Sequence, residues 1–136
     1  MKRYMIYLPL DVPGRLIRCG DDGSLTLSEM QTLVDGYIEV LGSSLEPTWA
    51  REPVDGIRLV VSEEGKLRGA KHNDKATWLY RYGDYDKIVG DAVLCAEADG
   101  ELIGFARPVC ETIGSEWNLD LEETGEEYRC QTFSPD

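Results

Sequence analysis

The chain has 136 residues, enough for one domain with a real core and short for two. Hydrophobic residues make up 42% and charged residues 29%, which excludes global disorder. Twenty-six acids against 14 bases leave a net charge of −12, a field that repels phosphates, so nucleic acid is not expected across the surface as a whole.

No apolar run approaches the roughly 18 residues needed to span a bilayer. Residues 1 to 8 open on Lys2 and Arg3, but Pro9 and Asp11 cut the following apolar run short of a secretory signal. That run reads as a first strand, and the protein is expected in the cytoplasm with no membrane partner.

Strands are expected over 3 to 8 and 15 to 19, joined through the turn residues Asp11, Val12, Pro13 and Gly14. After a second turn at Asp21-Asp22-Gly23, Thr26 and Glu29 have the spacing of a capping box. Leu27, Met30, Leu33 and Val34 recur at helical intervals, so a helix is predicted over 27 to 35, packing those four on a sheet. Gly36 reads as its left-handed stop. Residues 37 to 41 alternate as a strand, and 42 to 55, with Pro47 and Pro53, read as a long surface loop.

Residues 57 to 61 form the next strand, and Glu64-Gly65 a tight turn. Asn73 is placed to cap a helix over 74 to 82, with Asp74 at its positive end and Gly83 closing it. Residues 88 to 96 are the most apolar run and are expected to be an interior strand. Asp99-Gly100 turns it into a strand over 101 to 105. Beyond Pro108 the periodicity fades, and residues 111 to 136 hold eight acids and one base. The fold expected is therefore α+β, a mainly antiparallel sheet of about five strands with two short helices in residues 1–108. Residues 109–136 form an acidic extension, read as a peripheral helix around Trp117 and Leu121 or as a partly disordered tail.

Cys19, Cys95, Cys110 and Cys130 form no Cys-x-x-Cys pair, so four free thiols and no metal are expected. Cys95, inside an apolar run, reads as a small core residue.

Four segments carry a family resemblance: Leu33 to Val40 (LVDGYIEV), Leu59 to Leu67 (LVVSEEGKL), Asn73 with Ala76-Thr77, and Ile88 to Val93 (IVGDAV). In that order and spacing, across residues 1 to 105, they resemble a family of small proteins of unknown function common in phages, plasmids and other mobile elements. Members often have asparagine where this chain has Ser62, and proline where it has His72. The resemblance implies an accessory protein of mobile-element origin and transfers no catalytic residue.

One stretch departs from the acidic background. Lys66, Arg68, Lys71, Lys75 and Arg81 stand against a single acid, Asp74, with His72, Asn73, Trp78 and Tyr80 interleaved. Cations beside aromatic faces are what a nucleotide or single-stranded site uses. Lys66, Arg68, Lys71, His72, Asn73, Lys75, Trp78 and Arg81 are accordingly the candidate ligand-binding residues. On a binding surface, Lys71, Lys75 and Arg81 would project opposite Leu79 with Trp78 or Tyr82 exposed. The competing structural reading makes Trp78, Leu79 and Tyr82 core contacts and pairs the bases with the acidic C-terminal segment, and it is the one expected.

His72 has no identifiable reacting partner, Asp84, Asp86 and Asp91 lack calcium-loop spacing, Gly65-Lys66 lacks the Walker pattern, and Ser24, Ser28 and Ser62 lack a nucleophile-elbow context. No catalytic residue, cofactor or metal is assigned. The leading expectation is a non-enzymatic accessory protein that binds a host or element protein. The alternatives are a small-ligand or nucleotide module using residues 66–85, and a DNA mimic that inhibits a DNA-binding enzyme.

Overall fold

The computed structural model describes residues 2–10, 13–117, 119 and 121–123. The remainder of the expected acidic extension, 124–136 with Cys130, lies outside the described residues. The fold is α+β, with a mainly antiparallel sheet and, among the described residues, three α-helices. Its strands are β1 (Arg3–Leu8), β2 (Gly14–Arg18), β3 (Ile38–Gly42), β4 (Gly56–Ser62), β5 (Ala92–Ala98), β6 (Glu101–Ile103), β7 (Phe105–Ala106) and β8 (Leu121–Glu123). The helices are α1 (Leu27–Val34), α2 (Asp74–Leu79) and α3 (Arg107–Glu116).

The strands lie in the order β3-β4-β5-β1-β2-β8, antiparallel except for the parallel pair β2–β8. β5 is interior, as its apolar run predicts, pairing with β4 on one side and with β1 and then β6 on the other. β6 and β7 fill the wedge that opens where β1 and β5 diverge, β6 on β5 and β7 on β1. The chain bends between them at Gly104, where a Cβ would stand 2.6 Å from Cys19 Sγ and 2.8 Å from the Tyr4 backbone. Only glycine permits that approach.

Alternation along the strands builds two cores, one on each face of the sheet. On one face Met5, Ile17, Val60, Val93 and Cys95 meet Met30, Leu33 and Val34 of α1. On the other, Ile6, Leu8, Leu59, Leu94 and Phe105 meet Leu79 of α2 and Val109, Cys110 and Ile113 of α3. The boundary expected at residue 108 thus falls in the first turn of a helix whose inner face is core. That helix is not peripheral; its buried apolar positions Val109, Cys110 and Ile113 form a short stripe that the acid Glu111 interrupts in the sequence.

Other boundaries shift for identifiable reasons. Thr26 and Glu29 form the capping box, but Leu27 is 55% exposed because only the later turns of α1 reach the sheet. The helix stops at Asp35 (φ 59°, ψ 57°), one residue before Gly36. A short polar side chain tolerates that conformation, and the Arg68 guanidinium lies beside it, Nη1 to Oδ2 3.8 Å. The stretch 42 to 55 is more than surface loop, since Pro47–Ala50 form a 3-10 turn and Leu45 and Ala50 are buried.

The strand expected from residue 88 begins at Ala92. Gly90 takes φ 77°, and Asp91 accepts hydrogen bonds from Leu10 N (2.9 Å) and Tyr7 OH (3.2 Å), holding residues 88–91 across the end of β1. Among the described residues no helix is long and apolar enough to cross a membrane.

Candidate functional site

The basic and aromatic stretch is anchored by its asparagine. Asn73 is 2% exposed, and its whole side chain is used. Oδ1 accepts from Ala76 N (3.1 Å), capping α2, while Nδ2 donates to the carbonyls of Leu8 and Gly90 (both 2.8 Å). Its backbone N–H donates to Ile88 C=O at 2.8 Å. Asn73 is therefore a brace between α2, β1 and the segment before β5, and not a surface ligand-binding group. Thr77 adds a second tie, its Oγ1 accepting from Ile88 N at 2.9 Å.

α2 ends at Leu79, three residues earlier than its pattern suggests. Tyr80 turns to extended geometry (φ −76°, ψ 134°), and the chain docks on the end of β3 through Ser44 N to Leu79 C=O (2.8 Å) and Arg81 N to Gly42 C=O (3.2 Å). Ala76 and Leu79 are fully buried, which leaves Trp78 on the outer side at 58% exposure. Turns over residues 81–85 then present Tyr82, 54% exposed, and Tyr85, 90% exposed. The expectation that Trp78 and Tyr82 are core contacts is corrected here. Ala76 and Leu79 carry the apolar burial, because six helical residues give only one inward-facing row.

Trp117, at the end of α3, packs edge-on against Trp78 with ring centroids 5.6 Å apart and planes at 68°. Tyr80 and Tyr82 make a second edge-to-face pair at 5.8 Å and 85°. Burial, then the nearby Asp86 and Glu39 carboxylates, push the Tyr80 phenol upward from its ordinary pKa, so it stays protonated as a hydrogen-bond donor. Between these rings opens a cleft of about 500 Å³, lined by Trp78, Trp117 and Tyr80 with Arg81 and Lys87 set against Asp74 and Asp84. It offers aromatic faces and edges, two cations and two anions: contacts suited to a mixed-charge, partly apolar ligand.

Two of the eight residues predicted from sequence, Trp78 and Arg81, line this cleft. Lys66 and His72 line a separate concavity of about 440 Å³ with Tyr85, Asp86 and Lys87, where Lys66 is ion-paired to Asp86. Arg68 turns toward the end of α1, donating to Asp35 C=O and to Ser62 Oγ (3.0 Å). Lys71 is exposed and Lys75 half-buried, and neither lines these concavities. Arg81 lies beyond the helix and not on its outer face. The paired acids seen here are Asp86 and Asp35; the acidic segment after 123 lies outside the described residues.

Sequence reasoning missed Lys87 and Trp117. Lys87 follows directly on the aromatic run and was within reach of it. Nothing local joins Trp117, 39 positions after Trp78, to the cleft; only the docking of α3 does. Asp84, Asp86 and Asp91 do not gather: Asp84 faces the cleft, Asp86 holds Lys66 and Asp91 braces β1. Among the described residues no group of three or more His, Cys, Asp or Glu side chains is placed to hold a metal ion.

Residues 10–113 match the family model DUF3846, described as a domain of unknown function. The chain belongs to that family. No curated protein and no solved structure matches. The family model ends inside α3, so it includes the buried residues Val109, Cys110 and Ile113 and stops before Trp117. Within this DUF3846 chain, half of the tryptophan pair therefore lies beyond the matched region.

Proposed function

We propose that this DUF3846 protein acts by binding and not by catalysis, and that its ligand is a protein of the host or of a mobile element that encodes it. The observation that carries the reading is the outward display of Trp78, 58% exposed beside a fully buried Leu79. Tryptophan, tyrosine and arginine are the side chains that dominate protein interfaces, and here they share one cleft. The mobile-element origin rests on the resemblance set out above.

A nucleotide is the second reading, favoured by Arg81 and Lys87 beside an aromatic face. Asp74 and Asp84 weigh against it, since the two carboxylates cancel the two cations and repel a polyphosphate. A DNA mimic needs rows of uncompensated carboxylates. Glu52, Asp86, Glu97 and Glu111 are instead tied to Arg3, Lys66, Arg58 and Arg107.

The test is a photo-cross-linking amino acid at position 82, in the parent chain and in Trp78→Ala. One reproducible cross-linked protein, lost in Trp78→Ala, is the expected result. Saturable thermal stabilisation by a nucleotide, abolished in Arg81→Ala, would replace the protein ligand with the nucleotide.

A further inference from the structure

Hydrogen bonding leaves the outer side of β3 open. Ser43 N donates to Ile57 C=O (3.2 Å) and Glu63 N to Tyr37 C=O (2.9 Å), so odd-numbered residues of β3 face β4 across their antiparallel ladder. Inward and outward peptide groups alternate in such a pair. Those of Ile38, Val40 and Gly42 consequently point away from the sheet. Arg81 N takes the Gly42 carbonyl, and residues 79–81 lie along the edge only as far as that point. Among the described residues nothing meets the N–H or C=O of Ile38 or Val40.

The side chains around this gap carry a charge. Glu39 pairs in register with Val61 and Tyr37 stands opposite Glu63, which places Glu39 and Glu63 on one face of the sheet. Both are exposed, and neither has an ion-pair partner among the described residues. Beside Glu39 a groove of about 240 Å³ is floored by Leu41, Val61 and Ile88, with Lys87 and the Lys66–Asp86 pair on its rim. On the opposite face Val40 is 43% exposed.

We infer that this edge accepts an extended segment of a partner protein as an added strand, and that the segment alternates basic and apolar residues. The added strand satisfies the open peptide groups of Ile38 and Val40. Its side chains on one face then meet Glu39, with Glu63 one strand further in adding to the negative field, and those on the other meet Val40. A second copy of this chain does not fit. Two-fold pairing centred on residue 39 sets Glu39 against its own copy between bodies of net charge −12. Pairing centred on Val40 drives the copy's residues 36–37 into the space held by residues 79–80. A basic segment, by contrast, is steered toward an acidic body. The inference rests on the protein-binding reading but not on the aromatic cleft.

The probe is an acetylated hexapeptide of alternating lysine and valine, added to the full chain. Binding should slow hydrogen exchange at the Ile38 and Val40 amides about tenfold or more, while amides of α1 stay unchanged. Val40→Pro removes only an outward donor, which an edge strand tolerates. It should weaken the peptide about tenfold, as the loss of one or two backbone hydrogen bonds does. Glu39→Lys should weaken it further and flatten its salt dependence. Should Val40→Pro not fold, the hexapeptide N-methylated at alternate residues makes the same test on the parent chain, and it should not bind. Trp78→Ala should leave the affinity untouched. Absence of binding, binding without protection at residues 38 and 40, or equal affinity of the N-methylated peptide would overturn the edge site. Loss of binding in Trp78→Ala alone would do so too, while leaving the protein-binding reading in place.

Discussion

The two shorter helices, α1 and α2, start alike and end differently. Both are too short to persist alone in water, and both begin on a side-chain cap. α1 is made by its neighbours in sequence: Thr26 and Glu29 cap it, and Met30, Leu33 and Val34 lay one apolar stripe on the sheet. α2 is made at a distance. Asn73 ties its first turn to residues 8 and 90, and of its side chains only the small Ala76 and Leu79 join the apolar core. A helix held by a buried polar brace needs less apolar surface of its own. Its outer row is then free to present Trp78. The same segment thus holds a polar side chain that is 2% exposed and, five residues on, a tryptophan that is 58% exposed.

The sharpest way to break this comparison is Asn73→Ala. It strands the buried Leu8 carbonyl and Ala76 N–H, each costing about 1–3 kcal/mol, and the part-buried Gly90 carbonyl, which costs less. A loss of about 4 kcal/mol in urea unfolding is expected, with loss of the cleft. A loss under about 1 kcal/mol would mean that Ala76 and Leu79 hold α2 unaided.

Leu33→Ala and Leu27→Ala refine the account of α1. The first empties a buried site and should cost about 3 kcal/mol; the second, in the exposed first turn, should cost under about 0.5 kcal/mol. Equal costs would place the apolar stripe elsewhere.

A smaller effect separates the faces by pH. Burial pushes the Cys95 thiol far up and the Cys110 thiol up to about 12, one on each face of the sheet. Unfolding lets both thiols ionise near pH 9, so above that point the unfolded chain binds fewer protons than the native one and stability falls with rising pH. The contribution is complete below pH 9 and is lost toward pH 12, each thiol adding roughly 1.4 kcal/mol per pH unit to the slope within that window. Cys110→Ala measured against the parent between pH 9 and 11 should show the shallower fall. Identical slopes would show that Cys110 ionises in the folded protein.

Tertiary contact decided which members of the basic island act together. Lys66, Arg68 and Arg81 are neighbours in the chain, yet they go to Asp86, to the end of α1 and to the tryptophan cleft. Long side chains choose their partners by where distant acids and carbonyls arrive, which spacing does not encode. The open edge of β3 was equally invisible, because an outward peptide group is defined only by the strand that fails to appear beside it. α3 is the clearest failure of periodicity, its buried Val109, Cys110 and Ile113 interrupted by Glu111 and followed by Glu116.

What residues 1–105 determined by themselves was local and pattern-bound: the capping box at Thr26, the Asn73 cap, the turn at Asp99-Gly100 with φ of 53° and 79°, and the interior place of β5. Each depends on groups a few residues apart, or on a run apolar enough to require burial on both faces. The aromatic cleft, the brace from Asn73 to β1, the pairing of Trp78 with Trp117 and the free edge of β3 join residues tens of positions apart. Only closure of the sheet and docking of α3 bring those together, because their energies arise from long-range burial and hydrogen bonding that no local pattern records.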